Sequence, residues 1–292
     1  MKILKNEPLK KHTTFRIGGN ADHYCQPKNV QELLQALAFA KQNRIPVFIM
    51  GNGSNLLALD NGFRGLVVQA ADSKKGIIFD GHLARVWAGT SLPKFIKAIS
   101  KKGFSGLEFL AGIPGTVGGA VVMNAGAWGK EIGALIKEVS VICEDGTIRS
   151  LNKKELHFNY RKSSLQKMRC IVVEATFKLN KGKLSEINDR IRNYLEKRRE
   201  GQPLGMPNAG SIFRNPPKQS AGKLIEEAGC KGMRSGDAQI SQKHANFIVN
   251  LGEAKASDVL KLMTKAQKAV NDRFKIRLEP EIKIMVKSLH AF

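Results

Sequence analysis

Between Gly112 and Gly129 the chain reads Gly-Ile-Pro-Gly-Thr-Val-Gly-Gly-Ala-Val-Val-Met-Asn-Ala-Gly-Ala-Trp-Gly, six glycines in eighteen residues with no lysine or arginine. Residues without a Cβ let backbone N–H groups turn toward a ligand and approach it closely. Successive amides of this kind form a nest for phosphate oxygens and need no cationic side chain. The segment therefore predicts a main-chain cradle for a pyrophosphate, as in a dinucleotide. For one isolated cluster, a glycine-rich structural turn is the competing reading.

A second cluster shifts that balance. Ile45-Pro-Val-Phe-Ile-Met50 reads as a short buried strand and runs into Gly51-Asn-Gly-Ser-Asn-Leu-Leu57, a small polar loop of the kind that carries ligands. There is no G-x-x-x-x-G-K-S/T, and the G-x-G here lacks a third glycine opening a helix, so a P-loop enzyme or a Rossmann dehydrogenase is disfavoured. Two separate phosphate-cradling loops suggest a different dinucleotide fold.

These loops resemble the flavin-binding module of the UDP-N-acetylenolpyruvoylglucosamine reductases, and the resemblance continues in family order from about Leu9 to Met285. It runs through Thr13-Thr-Phe-Arg-Ile-Gly-Gly19, Phe158-Asn-Tyr-Arg-Lys-Ser163 and Asn208-Ala-Gly-Ser-Ile-Phe-Arg-Asn-Pro216. It ends in Lys243-His-Ala-Asn-Phe-Ile-Val-Asn250 and Leu278-Glu-Pro-Glu-Ile282. The resemblance implies an α+β protein: a two-subdomain FAD-binding module of the vanillyl-alcohol-oxidase (PCMH) type over 1–180, divided near residue 70. A smaller α+β substrate-binding domain would follow over 181–292. It further implies non-covalent FAD, NADPH as co-substrate, and reduction of the enolpyruvyl group of a UDP-sugar in cytoplasmic peptidoglycan precursor synthesis.

Composition bounds the alternatives. At 292 residues, two or three packed units are expected. No apolar run reaches bilayer length, and Met1-Lys-Ile-Leu-Lys-Asn-Glu-Pro lacks the apolar core of a secretory signal. Cys25, Cys143, Cys170 and Cys230 are scattered without metal-ligand spacing, which predicts reduced thiols, no metal and a cytoplasmic protein. The formal net charge of +23 would suit a nucleic-acid binder. However, the cations are spread as doublets (Lys10-Lys11, Lys74-Lys75, Lys101-Lys102, Lys153-Lys154, Arg198-Arg199) without interleaved aromatics. A solvated basic surface that attracts anionic small molecules is the expectation, with a monomer and neither nucleic acid nor membrane as partner.

The periodicity predicts a helix over 30–44 ended by Pro46, with Val30, Leu33, Leu34, Leu37 and Ala38 on one face. A second covers 91–102, where Ser91 can cap, Pro93 suits the first turn and Gly103 can close. Strands are predicted at 65–69, 76–79, 84–88 and 170–179. A hairpin joins 139–143 to 148–151 around Asp145-Gly146. Beyond a polar connection at 180–183, a charged helix spans 184–200. Further helices cover 223–228 and the stretch from a Ser257 cap to about Val270, with a strand at 247–249. From Ile276 to Val286 every even position is apolar, which predicts a strand with Glu279 and Glu281 on the same face. Periodicity does not choose between them.

The resemblance assigns the site residue by residue. Gly51, Asn52, Gly53, Ser54 and Asn55 with Gly112, Ile113, Pro114, Gly115, Gly118, Gly119 and Asn124 would hold the cofactor. Arg161 would engage the enol carboxylate, which its planar fork fits better than lysine. Ser211, after Gly210, would donate the proton, and Glu281 would polarise the carboxylate. Asn215, Arg214 and His244 would contact substrate. Asn208 and Arg214 stand where the family usually has serine and lysine. The short connection from Glu200 to Asn208 leaves no room for the tyrosine-bearing insertion of the family's first type, so the second type, with a more open site, is expected. A flavin oxidase sharing the FAD module would be expected to lose the set Arg161, Ser211 and Glu281.

Overall fold

The computed structural model describes residues 1–73 and 76–286, so the Lys74-Lys75 doublet lies outside the described residues. Six α-helices are present among them. In α1 (Val30–Gln42) the Asn29 side chain accepts from the Glu32 N–H, and Leu33, Ala36, Leu37 and Ala40 are buried. It stops short of Pro46, because Arg44 turns left-handed at φ 53°. In α2 (Leu92–Lys101) Ser91 occupies the N-cap position without a side-chain bond, Pro93 sits in the first turn, and Leu92, Phe95, Ile96 and Ile99 are buried. The short α3 (Val117–Val122) begins inside the second glycine cluster, its Gly119 N–H capped by the Thr116 hydroxyl. Then come the charged α4 (Leu184–Gly201), α5 (Ala221–Glu227) capped by Ser220, and α6 (Ala256–Phe274).

The expected cap of α6 is corrected. Lys255, not Ser257, holds the N-cap position. The Asp60 carboxylate accepts from the Ala256 N–H at 2.7 Å and the Ser257 N–H at 3.1 Å. A carboxylate accepts from two end amides at once and sets a full negative charge against the positive end of the helix dipole, where a serine hydroxyl brings no charge.

Three larger sheets carry these helices. The first runs Ile3–Pro8, Asn20–Cys25, Phe63–Gln69, Val47–Met50, antiparallel at its first pairing and parallel thereafter. The second is antiparallel throughout, in the order Ile148–Asn152, Ile136–Cys143, Cys170–Lys178, Leu83–Trp87, Ile77–Asp80, and contains the expected hairpin. The third pairs Asn208–Ser211, Phe247–Asn250, Ala238–Ile240 and Arg234–Ser235. Helices and mostly antiparallel sheets in this arrangement make an α+β protein.

Each sheet has its own apolar packing. Residues of α2 and α3 pack on the second sheet through Phe95, Val117, Val139 and Phe177. Those of α1 pack between the first and second sheets, against Val68, Trp87, Ile142 and Val173. The α6 stripe of Val259, Leu262, Met263, Ala266 and Val270 is buried beneath the third sheet, as its spacing predicts, together with Phe15, Ile17 and Leu57 from the N-terminal part.

The C-terminal strand also differs from expectation. Only Lys283–Met285 is a strand, and it pairs in parallel with Leu56–Ala58 next to the first glycine loop. Residues 276–282 lack a ladder: Pro280 has no N–H to give, and the contact there is an isolated bridge between Phe213 and Pro280. Leu278 and Ile282 are buried, but Pro280 and Val286 of the same alternating set are exposed and Met285 is buried instead, so the alternation reports burial only around 278–282. The two glutamates are separated by this irregular backbone: the Glu279 side chain is 68% exposed and that of Glu281 only 15%.

Candidate active site

The two glycine loops are laced together. Ser54 Oγ donates to the Pro114 carbonyl at 2.9 Å and Asn52 Nδ2 to the Gly115 carbonyl at 3.3 Å. The approach leaves no space for side chains: a Cβ on Gly51 would stand 2.4 Å from Thr116 Oγ1, and one on Gly118 would stand 2.7 Å from the Ala88 Cβ. The N–H groups of Asn52, Gly53, Ser54 and Asn55 donate to nothing among the described residues. Four consecutive open amides bordering a cavity form an anion nest. The cavity itself holds about 1540 Å³, beyond the ~300–1,000 Å³ of ordinary small-molecule pockets, with Gly51 to Asn55 and Gly112 to Gly119 along its wall. Both observations fit a dinucleotide such as FAD with space for a second ligand.

The first loop is also tied to the C-terminal part. Lys283 N–H donates to the Asn55 carbonyl at 2.9 Å, and Asn55 Nδ2 to the Glu281 carbonyl at 3.3 Å. Glu281 N–H donates to the Ile212 carbonyl at 2.7 Å, which places Glu281 beside the residue following Ser211. Gly210 is left-handed at φ 77°, so Ser211 leaves a turn that only glycine adopts without strain. The Ser211 hydroxyl makes no hydrogen bond among the described residues and borders the cavity.

Arg161 arrives from the other side. It lies in a two-residue turn closed by reciprocal bonds between Asn159 and Lys162, and its own φ is 54°. Its Nε donates to Glu281 Oε1 at 2.6 Å and its Nη2 to the Gly126 carbonyl at 3.0 Å. Burial pushes the Glu281 carboxyl up from its ordinary range, opposed by Arg161 and then Arg214. Burial, with Arg214 adding to it, pulls the Lys283 ammonium down. Arg161, Glu281, Ser211 and Lys283 all border the same cavity as the glycine loops.

The remaining expected residues are placed unequally. Asn215 and His244 border the cavity. The Asn215 side-chain Oδ1 accepts from the Ala221 N–H at 3.0 Å. His244 Nδ1 accepts from the Asn246 N–H, and burial pulls the imidazole pKa down, so the ring favours its neutral form. Arg214 does not border the cavity; it pairs with Glu279 at 3.5 Å while its buried Nε lacks a partner. Asn124 is fully buried and its amide is spent on Glu131, the Asn159 carbonyl and the Gly133 N–H, so it shapes the turn that carries Arg161.

Three cavity residues escaped the sequence reading. Gln166 and Lys283 carry no local signature. Trp128 does: it forms, with Gly129, the two-residue turn between Gly126–Ala127 and Lys130–Glu131, with φ values of 51° and 75°. Such a turn prefers asparagine or glycine at its first position, so a tryptophan there is a detectable anomaly. Its ring stacks on Tyr194 at 4.6 Å between centroids, with the Arg198 guanidinium 4.7 Å from its centre.

Comparison with known proteins agrees with this geometry. Residues 21–152 match the family model described as FAD binding domain, and residues 202–285 match UDP-N-acetylenolpyruvoylglucosamine reductase, C-terminal domain. The chain is 47% identical over 283 residues to UDP-N-acetylenolpyruvoylglucosamine reductase 2 of Symbiobacterium thermophilum, covering 97% of this chain and 92% of that one. It is likewise 47% identical over 284 residues to the reductase of Moorella thermoacetica, covering 97% and 93%. The crystal structure of UDP-N-acetylenolpyruvylglucosamine reductase from Thermus caldophilus superposes with a TM-score of 0.82 at 40% identity, over 97% of this chain and 98% of that one. With both glycine loops inside 21–152, Ser211 and Glu281 inside 202–285, and relatives matched over 97% of the chain, the chain belongs to the UDP-N-acetylenolpyruvoylglucosamine reductase family, whose members are FAD-dependent oxidoreductases.

Proposed function

We propose that this protein uses NADPH to reduce UDP-N-acetylglucosamine enolpyruvate to UDP-N-acetylmuramate through bound FAD, as a cytoplasmic step of peptidoglycan precursor synthesis. The observation that carries the reading is the Arg161–Glu281 pair at 2.6 Å on the cavity that the two glycine loops border. FAD, where bound, supplies a two-electron carrier that takes hydride from NADPH and delivers it to C3 of the enolpyruvyl group. The open amides of Asn52 to Asn55 hold the pyrophosphate. Gly112, Ile113, Pro114, Gly115, Gly118 and Gly119 keep the second loop close enough to complete the cradle.

Arg161 engages the substrate carboxylate. Its Nη1 has no acceptor among the described residues, so a donor remains after Glu281 and Gly126 are served. As hydride reaches C3, electron density moves onto C2 and the carboxylate. Arg161 and Glu281 hold that carboxylate, Glu281 in its raised-pKa setting being able to retain a proton. The Ser211 hydroxyl delivers the proton to C2. Asn215 and His244 orient the sugar end, with Arg214 acting through its charge on Glu281.

In this reading residues 1–180, divided near 70, bind FAD and residues 181–292 bind substrate, consistent with the separate family matches at 21–152 and 202–285. The four free cysteines suit a reducing compartment, and no helix among the described residues is long and apolar enough to cross a membrane.

The test is an anaerobic two-step titration of flavin-loaded protein. One equivalent of NADPH should bleach the flavin band, and the enolpyruvyl sugar should restore it. Bleaching without restoration would discard the substrate; no response to NADPH would discard the nicotinamide half.

A further inference from the structure

Arg161 stands in a conformation that arginine does not choose. Its φ of 54° is in the left-handed region, at the turn position where glycine or asparagine is usual. An L-residue with a Cβ is disfavoured there because its Cβ crowds the following carbonyl oxygen. Such strain persists only where the surroundings over-determine it, and it concentrates at functional sites. The question is what supplies the restraint.

The Arg161 carbonyl accepts a hydrogen bond from Gln166 Nε2 at 3.0 Å. The same amide nitrogen donates to the Val122 carbonyl, also at 3.0 Å. Val122 is the last residue of α3, and its carbonyl is one of the acceptors that a helix end leaves without an internal partner. Ser163 Oγ donates to that same carbonyl at 2.7 Å. One primary amide thus fastens the Arg161 turn to the end of the helix that starts in the second glycine loop. On its other side, Gln166 Oε1 stands 3.5 Å from Lys283 Nζ, two residues along from Glu281. Gln166 therefore touches both chain segments whose side chains meet in the Arg161–Glu281 pair.

We propose that Gln166 is the positioning residue for Arg161: its amide holds the arginine backbone left-handed and thereby aims the guanidinium at the substrate carboxylate. This rests on the reading of Arg161 as the carboxylate-binding residue. Both N–H bonds of the amide are in use, so glutamate, which has the same length and no donor, cannot replace it. Without the clamp the turn relaxes toward ordinary φ and carries the guanidinium away from Glu281. A displacement of about 1 Å at such a site can cost on the order of a hundredfold in rate.

A purely structural Gln166 would weaken every ligand equally. A positioning Gln166 would weaken only ligands bearing the carboxylate. The experiment compares two ligands by calorimetry on flavin-loaded protein: UDP-N-acetylenolpyruvoylglucosamine, and UDP-N-acetylglucosamine, which has the same nucleotide and sugar and no carboxylate. The ratio of the two affinities reports the carboxylate contact. Gln166→Ala and Gln166→Glu should each reduce the ratio about tenfold, the scale of one net hydrogen bond. Flavin content and UDP-N-acetylglucosamine affinity should stay at wild-type levels. In Arg161→Ala the ratio should collapse, and adding Gln166→Ala should lower it no further, because coupled residues are not additive.

If the ratio collapses in Arg161→Ala but survives in both Gln166 variants, the role of Gln166 is overturned and that of Arg161 stands. If Arg161→Ala itself leaves the ratio intact, the carboxylate role of Arg161 fails and the positioning role falls with it. Equal losses for both ligands would make Gln166 a structural residue and overturn the proposal. Should Gln166→Ala lose flavin, the near-isosteric Gln166→Glu carries the comparison.

Discussion

Nε of Arg161 and Oε1 of Glu281 stand 2.6 Å apart although 120 residues separate them in the chain. Each partner is fixed by its own backbone contacts, Arg161 through its closed turn and Glu281 through its bond to the Ile212 carbonyl. A pair this shielded gains little net stability, because desolvation offsets most of the Coulomb attraction. Burial leaves its mark on Glu281, whose carboxyl is pushed up in spite of two neighbouring arginines. The pair is therefore better explained by what it can do for a ligand carboxylate than by what it does for folding.

The raised Glu281 carboxyl has a thermodynamic consequence. Folded protein holds that proton to higher pH than unfolded chain, so between the ordinary and the folded value the native state binds more protons. Stability from this group is then fully present below the ordinary value of 4.5 and is lost as pH rises through the folded one. Glu281→Gln mimics the protonated form at all pH. Its melting temperature should match wild type near pH 4 and gain on it as pH rises toward 7. A variant that instead falls further behind with rising pH would show that the carboxylate is stabilised in the fold.

Ser211→Ala should separate the two halves of the reaction. The rate at which NADPH bleaches the flavin should stay within twofold of wild type, a margin of about 0.4 kcal/mol. The rate of recovery on adding the enolpyruvyl sugar should fall by roughly 10²–10⁴, the usual share of a general acid. Stopped-flow absorbance at the flavin band measures both. Equal slowing of the two halves would remove Ser211 from the proton-transfer role.

Much of this architecture was legible because its determinants are local. The apolar period of α2 and α6 and the Asp145-Gly146 hairpin need only neighbouring residues, and each lies where the pattern puts it. In α1 Leu33 and Leu37 are buried as expected, but Ala38 of the same expected face is exposed and Ala36 and Ala40 are buried instead. What escaped depends on distant partners. The α6 cap comes from Asp60, and the third core borrows Phe15, Ile17 and Leu57. At the C-terminus, alternation reported burial of Leu278 and Ile282 correctly but implied a ladder that Pro280 cannot join. Periodicity alone left Glu279 and Glu281 equivalent; the family resemblance singled out Glu281, and the three-dimensional contacts separate the two. Gln166 and Lys283 had no readable signal, since their importance lies in what folds around them.

Gly51→Ala should loosen the cofactor rather than the fold. The added Cβ would stand 2.4 Å from Thr116 Oγ1, the hydroxyl that caps α3, so the two glycine loops must separate. Overpacking of this kind costs about 1–3 kcal/mol, which corresponds to FAD affinity weaker by roughly five- to 150-fold. Purified protein should carry less than one flavin per chain, and titration with FAD should show the weakened binding. Normal occupancy and affinity would mean that these loops are not the cradle.

The second glycine loop rests on α4 through Arg198. Arg198 is buried in α4, where its Nε donates to the Ala111 carbonyl at 2.8 Å and its Nη2 to the Phe109 carbonyl at 3.3 Å. A Cβ on Gly112 would meet the Arg198 side chain at 2.9 Å, so the loop lies directly on it. Burial pulls the guanidinium pKa down to about 10, with Arg161 contributing, which still leaves it charged at neutral pH. It forms no ion pair with a carboxylate among the described residues, and carbonyl dipoles and the Trp128 ring take that place. Arg198→Ala would strand those carbonyls and open a gap beside Trp128, at a cost of about 2–3 kcal/mol in urea unfolding of the apo-protein. Arg192→Ala, an exposed charge on the same helix, should stay within about 0.5 kcal/mol. Because the lost contacts support the loop that begins at Gly112, the Arg198 variant should also bind FAD more weakly. Equal unfolding midpoints for the two variants would refute this account of α4.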